Sequence, residues 1–296
     1  MTGSPRRKFR LKLPSRTLVL GERTLVMGVL NVTPDSFSDG GKFYAQENAI
    51  GHALQMERSG ADLIDIGAES TKPGSEGISA DEELKRLLPM LGGLYRLLKI
   101  PISIDTQKAE VAEAALDAGA QIINDISGLK SDPRIAEVAA RRRVPLILMH
   151  MRGAPRTMQH GPFARDVMKD VMQGLRKSVA TARRAGVRKS QIILDPGIGF
   201  GKSFAQNYEL LQKLPQLAKL GYPLLVGTSR KGFLGATLAR DGKPAPPEGR
   251  IWGTAATVTA SILNGAHIVR VHDVTEMVQV ARVADCLLDA KQRTKS

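Results

Sequence analysis

Eight short apolar runs, separated by stretches with helical periodicity, restrict this 296-residue chain more than any other feature. They are residues 24–30 (TLVMGVL), 62–66 (DLIDI), 101–104 (PISI), 120–123 (AQII), 145–149 (PLILM), 191–194 (QIIL), 223–226 (PLLV) and 266–271 (AHIVRV). Runs that are apolar without alternation suit strands buried on both faces of a parallel sheet, and parallel strands require crossover connections. Helical patterns at 80–98, 107–118, 134–142, 164–185, 206–219 and 251–264 supply such crossovers. Eight strand–helix units in about 270 residues match the α/β class and a closed (β/α)8 TIM barrel, with an open doubly wound sheet as the runner-up. No Pro/Gly/Ser linker divides the chain, so residues 24–296 are expected to form one barrel. Residues 1–23 read as a basic arm and a short N-terminal hairpin. In that hairpin, FRLKLPSRTLVLGERTL is expected to turn near Gly21 and to plug the barrel bottom.

Composition removes several classes of protein. Hydrophobic residues make up 42% and charged residues 24%, a globular balance that excludes disordered and fibrous chains. No apolar run reaches the roughly 18 residues of a membrane span, and no signal-type stretch follows the basic N-terminus, so a soluble cytoplasmic protein is expected. The single cysteine, Cys286, excludes an internal disulfide and a cysteine zinc site, and its apolar helical setting predicts a buried thiol. A net charge of +14 raises nucleic-acid binding as an alternative. Against it, aromatics are only 4%, with no basic–aromatic interleaving that would stack bases. Attraction of an anionic small molecule suits the charge better.

Barrel enzymes gather their chemistry at the C-terminal ends of the strands. After the eight runs come Asn31; Asp65 with Glu69, Ser70, Thr71 and Lys72; Asp105; Asn124 and Asp125; His150 and Arg152; Asp195; Ser229, Arg230 and Lys231; and Arg270, His272 and Asp273. Helix capping explains any one of these, but not the whole set. Asp105, Asn124 and Asp195 suit the amidine-like edge of a heterocycle, and Lys231 can donate to a ring carbonyl or nitrogen. Asn31, Thr71, Lys72, Arg270 and His272 supply donors and positive charge, which suits a polyphosphate, with a metal ion possible beside Asn31. The expected ligand is a polar bicyclic ring carrying phosphates.

The string DPGIGFGKS, residues 195–203, lacks the spacing of an ATP-type P-loop and of the dinucleotide fingerprint. Its glycines are expected to let backbone approach a flat ligand near Phe200. The turn-rich loops NVTPDSFSDGG and ESTKPGS are candidate lids over the barrel mouth.

Seven strings, MGVLNVTPDSFSDGG, GADLIDIGAESTKPGS, ISIDTQKAEVAEAALDAGAQIINDISG, LMHMRGAPRTMQ, ILDPGIGFGKS, VGTSRKGFLG and WGTAATVTASILNGAHIVRVHDV, carry a resemblance across nearly the whole chain. In this order and spacing the sequence resembles the dihydropteroate synthases of bacterial folate biosynthesis. The resemblance implies condensation of 6-hydroxymethyl-7,8-dihydropterin diphosphate with p-aminobenzoate to 7,8-dihydropteroate and pyrophosphate, with Mg2+, in a homodimer formed through the late helices. It implies that Asp105, Asn124, Asp195 and Lys231 hold the pterin, with Asn31 at the magnesium and Thr71, Arg270 and His272 at the diphosphate. It further implies that Phe37, Ser38, Asp39, Lys72, Pro73 and Ser229 frame the p-aminobenzoate pocket, where sulfonamides compete. The implied chemistry is a dissociative substitution at the exocyclic methylene, with Asp39 helping to exclude water. Two positions depart from the family pattern: Lys72 stands where Arg is usual, and Ala68 where Gly is usual. Lys keeps the charge but not the bidentate fork. A pterin-dependent methyltransferase and a catalytically silent pterin-binding paralogue are the alternative functions.

Overall fold

The computed structural model describes residues 6–32, 41–70, 74–153, 157–158 and 161–293, and of residues 41–46 and 291–293 the backbone only. The eight runs form the parallel strands β3 (Leu25–Asn31), β4 (Leu63–Gly67), β5 (Ile102–Asp105), β6 (Ile122–Asp125), β7 (Leu146–Met149), β8 (Ile192–Asp195), β9 (Leu225–Val226) and β10 (Ile268–Val271). Each strand pairs with the next in sequence from β3 to β8, and β10 pairs with both β3 and β9. A parallel bridge between Leu194 and Leu224 joins β8 to β9 and completes the ring, so the closed barrel replaces the open-sheet alternative.

The strands begin one or two residues later than the apolar runs and run on through Asn31, Asp105, Asn124, Asp125 and Asp195. Ladder hydrogen bonds use backbone groups, so a polar side chain does not end a strand.

The crossovers are α1 (Gly41–Arg58), α2 (Ala80–Leu97), α3 (Ala109–Asp117), α4 (Arg134–Arg142), α5 (Val167–Arg184), α6 (Phe204–Ala218), α7 (Gly232–Thr237), α8 (Ile251–Leu263) and α9 (Val274–Arg293). Local chemistry starts several of them. Ser79 caps α2 through the Glu82 N–H, and Ser203 and Gln206 close a reciprocal capping box on α6. In α2, Leu87, Met90, Leu91 and Leu94 are buried at helical spacing, and that stripe fixes the face turned to the sheet.

The hairpin pairs β1 (Phe9–Lys12) with β2 (Thr17–Leu20). Its turn lies at residues 13–16, where Leu13 N–H donates to Arg16 O at 2.8 Å, and not near Gly21, which comes after β2. Pro14 and Ser15 supply the turn residues there. Leu11, Leu13 and Leu20 pack with the lower interior residues Leu25, Leu63, Ile122, Ile147, Ile193 and Ile268, so the hairpin does plug the barrel bottom. Arg6 fastens it: its guanidinium donates to Asp285 at 2.7 Å, Thr24 Oγ1 at 2.6 Å and Ala266 O at 2.8 Å. Arg6→Ala removes one partner of a largely buried ion pair and is expected to destabilise the fold by about 3 kcal/mol. Thermal unfolding should show a Tm lower by roughly 5–10 °C, and an unchanged Tm would show that the pair contributes nothing.

Cys286 is exposed, contrary to expectation. The buried stripe of α9 is Val274, Met277, Val278, Ala281 and Ala284, and a residue two positions beyond Ala284 points away from that face. Arg141 and Arg142, at the end of α4, pair with Glu113 and Asp117. No helix among the described residues is long and apolar enough to cross a membrane.

Candidate active site

Side chains alternate faces along a strand, so residues two apart share the barrel interior. Above the lower apolar layer formed by Leu63, Ile122, Ile193 and Ile268, the next inward residues on the same strands are Asp65, Asn124, Asp195 and Arg270. On β5 the corresponding pair is Ser103 and Asp105. Strand periodicity thus stacks a polar layer on an apolar floor at the C-terminal end of the barrel.

Arg270 organises this layer. Its Nε donates to Asp65 Oδ2 at 2.6 Å and its Nη2 to Asp105 Oδ2 at 2.9 Å. Asn124 Nδ2 donates to the same Asp65 oxygen at 2.9 Å. Asn124 therefore turns its amide oxygen elsewhere, and neither that oxygen nor Asp65 Oδ1, both buried, has a partner among the described residues. Asp195 Oδ1 accepts the Gly197 N–H at 2.7 Å. Lys231 holds its ammonium 4.1 Å from the centre of the Phe200 ring, a cation–π contact.

The layer sets three carboxylates, Asp65, Asp105 and Asp195, against two cations, Arg270 and Lys231. Burial pushes the Asp105 carboxyl up to about 7 although Arg270 pulls it down, because Asp65 shares that guanidinium. Burial also raises Asp195 to about 6, against the Gly197 N–H and Lys231. Lys231 is lowered to about 8, by burial first and then by Arg270. Three groups that titrate close to neutrality in one concave polar layer mark a site built for chemistry.

At the rim, Ser229 Oγ accepts the His272 N–H at 3.1 Å and lies 3.0 Å from His272 Nδ1. Burial and the nearby Arg270, Arg230 and Lys231 lower His272 to about 3. That direction disfavours a cationic ring, and His272 Nδ1 meets Ser229 Oγ in a hydrogen bond that either tautomer of the neutral ring can make. Arg230, with a φ of 57°, pairs with Asp273 and so ties the loop after β9 to the loop after β10. Asn31 ends β3, with its side chain exposed beside Gly67 of β4.

The structure therefore brings Asp105, Asn124, Asp195, Lys231, Phe200 and Arg270 into one layer, with Ser229, His272 and Asn31 above it. Phe37, Ser38, Asp39, Thr71, Lys72 and Pro73 lie outside the described residues, as do most of the two expected lids. Two readings change. Arg270 forks the acids of the ring set, so the ring and anion poles share one bridging cation. Two of the three glycines of residues 197–201 approach other backbone, a Cβ at Gly197 lying 1.9 Å from His150 O and one at Gly201 2.1 Å from Arg152 O, while one at Gly199 would lie 3.1 Å from the Lys231 side chain.

Sequence reasoning leaves Asp65 unassigned, although the i+2 relation to Leu63 carries the signal. It also misses the cluster in which Lys108 donates to Glu69 and Glu83, each at 2.6 Å. Burial raises Glu83, while Lys108 rises because these two acids outweigh its own burial. This cluster anchors Glu69, after β4, to the N-cap of α3 and to α2.

A barrel whose mouth presents buried acceptors below a bridging arginine is that of a pterin-binding enzyme, and the chain belongs to that family, whose model matches residues 27–272. It is 53% identical to the dihydropteroate synthase of Synechocystis sp. over 267 residues, 90% of this chain and 91% of the relative. Among solved structures, Xanthomonas albilineans dihydropteroate synthase with 4-aminobenzoic acid superposes with a TM-score of 0.87 at 41% identity, covering 95% and 98% of the two chains. A Yersinia pestis dihydropteroate synthase with a sulfonamide drug complex gives 0.86 at 42% identity, covering 97% and 100%.

Proposed function

We propose that this chain condenses 6-hydroxymethyl-7,8-dihydropterin diphosphate with p-aminobenzoate, releasing 7,8-dihydropteroate and pyrophosphate, and is a target for sulfonamides. The observation that carries the reading is the acceptor layer. Asn124 Oδ1 and Asp65 Oδ1, buried beside Asp105 and Asp195, have no partner among the described residues, and such a layer suits a ligand whose flat edge is rich in N–H donors. A pterin has that edge. The family relationship supplies the reaction, and neither the methyltransferase nor the silent paralogue is favoured by the relatives of this chain.

The side chains suit a dissociative displacement at the exocyclic methylene. As the C–O bond to the diphosphate lengthens, positive charge spreads into the dihydropterin ring, and the Asp105 and Asp195 carboxylates face it in a low-dielectric pocket. Lys231 donates to a ring carbonyl or nitrogen, while Arg270 and His272 stand at the departing oxygens. The aryl amine of p-aminobenzoate is unprotonated at neutral pH and attacks the methylene carbon without a strong general base.

Asn31 offers one exposed hard oxygen, and among the described residues no trio of His, Cys, Asp or Glu could cage a metal. That donor set fits a Mg2+ that arrives on the diphosphate and keeps most of its waters. When bound, the ion supplies charge neutralisation to the leaving group. Thr71 would add a hydroxyl at the diphosphate, and Phe37, Ser38, Asp39, Lys72 and Pro73 would frame the p-aminobenzoate. For the homodimer, support comes from α8 and α9, which leave Trp252, Val283 and Leu287 exposed.

Pyrophosphate release measured with both substrates across pH tests the reading. The value of kcat/KM for the pterin diphosphate should rise as Asp195 and Asp105 ionise through about 6 and about 7, then fall above about 8 as Lys231 loses its proton. No release, or a flat profile across that window, would refute it.

A further inference from the structure

Among the described residues one of the largest fully buried side chains is a lysine, Lys202, 2% exposed, whose hydrogen bonds there go to carbonyls and not to a carboxylate. Its Nζ donates to three carbonyls, His150 O at 3.0 Å, Gly197 O at 2.8 Å and Phe200 O at 2.8 Å. An ammonium has three N–H donors and no acceptor, so this cage satisfies it fully. The cage arises from the path of the chain. After Asp195 the loop of residues 196–201 folds back across the exit of β7, and at Gly197 and Gly201 the approach of backbone to backbone leaves no room for a Cβ. That packing turns the negative ends of three peptide dipoles toward one point, which is unfavourable unless a cation sits between them. Lys202 is that cation, supplied by the loop itself.

What the cage holds in place is the ring pocket. Phe200 O is one of its three acceptors, and the Phe200 ring carries the Lys231 ammonium. Gly197 O is the second acceptor, and the Gly197 N–H fixes Asp195. The third, His150 O, belongs to the residue whose N–H bonds Asp195 O across the ladder at 2.9 Å. Burial lowers Lys202 to about 7, with Asp195 and Asp170 opposing the shift, so the three carbonyls hold a group whose charge is lost near neutrality.

We propose that Lys202 is a positioning residue for ring recognition: by pinning His150 O, Gly197 O and Phe200 O to one point, it sets how Asp195, Phe200 and Lys231 meet the pterin. The proposal rests on the functional reading above, and it separates two poles that one substitution can distinguish. Lys202 braces the ring side of the pocket, and among the described residues its hydrogen bonds go to His150, Gly197 and Phe200 and not to Arg270 or His272 on the anion side.

The test uses the full chain, calorimetry and two probes, 6-hydroxymethylpterin for the ring pole and inorganic pyrophosphate with magnesium for the anion pole. Lys202→Met keeps an unbranched stem one atom shorter and removes the donors, and ring affinity should fall by about 30-fold while pyrophosphate affinity stays within about threefold. Lys202→Gln restores two N–H donors and should recover part of the ring affinity. In Lys202→Met, amide hydrogen exchange should accelerate at residues 197–201 and stay unchanged at Asn124–Leu129. Wild-type ring affinity in Lys202→Met, or equal losses at both poles, would overturn the proposal. So would failure of both variants to fold, which would make Lys202 a support of the whole barrel. If the wild-type protein itself does not bind 6-hydroxymethylpterin, the functional reading fails, and the exchange comparison still reports whether Lys202 holds the loop.

Discussion

Arg270→Ala is expected to lower turnover by about a thousandfold, because it removes a preorganised cation from the place where leaving-group charge develops. The same substitution strands Asp65, which is fully buried, and Asp105 without their shared guanidinium. Breaking a buried ion network by removing one partner typically costs about 3–5 kcal/mol of stability, so the variant should also unfold at lower denaturant. The pH dependence gives the cause. Asp105 already sits at about 7 in the folded protein, above its ordinary value of 3.8, so it binds more protons folded than unfolded. Its contribution is therefore fully present below about 4 and lost as pH rises through about 7. Without Arg270 its carboxyl climbs further, so denaturation of the variant should show a larger deficit at about pH 8 than at about pH 5. A turnover loss below about tenfold, or a deficit independent of pH, would remove Arg270 from the bridging role.

Asp105→Asn separates charge from shape. Turnover should fall by about a hundredfold, since the amide cannot stabilise a cationic ring, while KM for p-aminobenzoate should change little. The acidic limb of the kcat/KM profile near pH 7 should move toward the value of about 6 held by Asp195. Stability should move the other way. Replacing a carboxyl that is raised in the fold makes the protein more stable at about pH 8 and leaves it unchanged at about pH 4. Activity and stability opposed at one residue is the mark of a group retained for chemistry. Undiminished turnover, or a loss of stability at high pH, would assign Asp105 a structural role instead.

Much of this site is legible in the amino-acid order itself. The order and spacing of the apolar runs place Asp105, Asn124 and Asp195 at strand ends on one face of the barrel. Extending the same period by one count, from Leu63 to Asp65 and from Ile268 to Arg270, joins Asp65 and Arg270 to that layer. Local reasoning fails at three points. Gly21 has the conformational freedom of a turn residue, but the turn needs only Pro14 and Ser15, and Gly21 lies beyond it. Cys286 shares a helix with apolar neighbours yet sits off their stripe. His272 carries no label in the sequence that its proton affinity is lowered, because burial sets it first, and Arg230 and Lys231, which the fold brings from the loop after β9, add to the effect of its neighbour Arg270.

The division follows from which interactions are local. Period-two burial, helix caps and the eight strand–helix units depend on residues near one another along the chain, so the amino-acid order alone points to eight parallel strands and to the strand ends that bear the polar residues, whereas closure of the ring and the plugged bottom rest on long-range contacts. Hydrogen bonds between Arg270 and Asp65, or between Lys202 and His150, span 205 and 52 positions. Which acids share a cation, which amide oxygen is left facing the cavity, and which proton affinities are shifted depend on distances of a few ångströms across a low-dielectric interior. Those distances exist only once the ring of strands has closed.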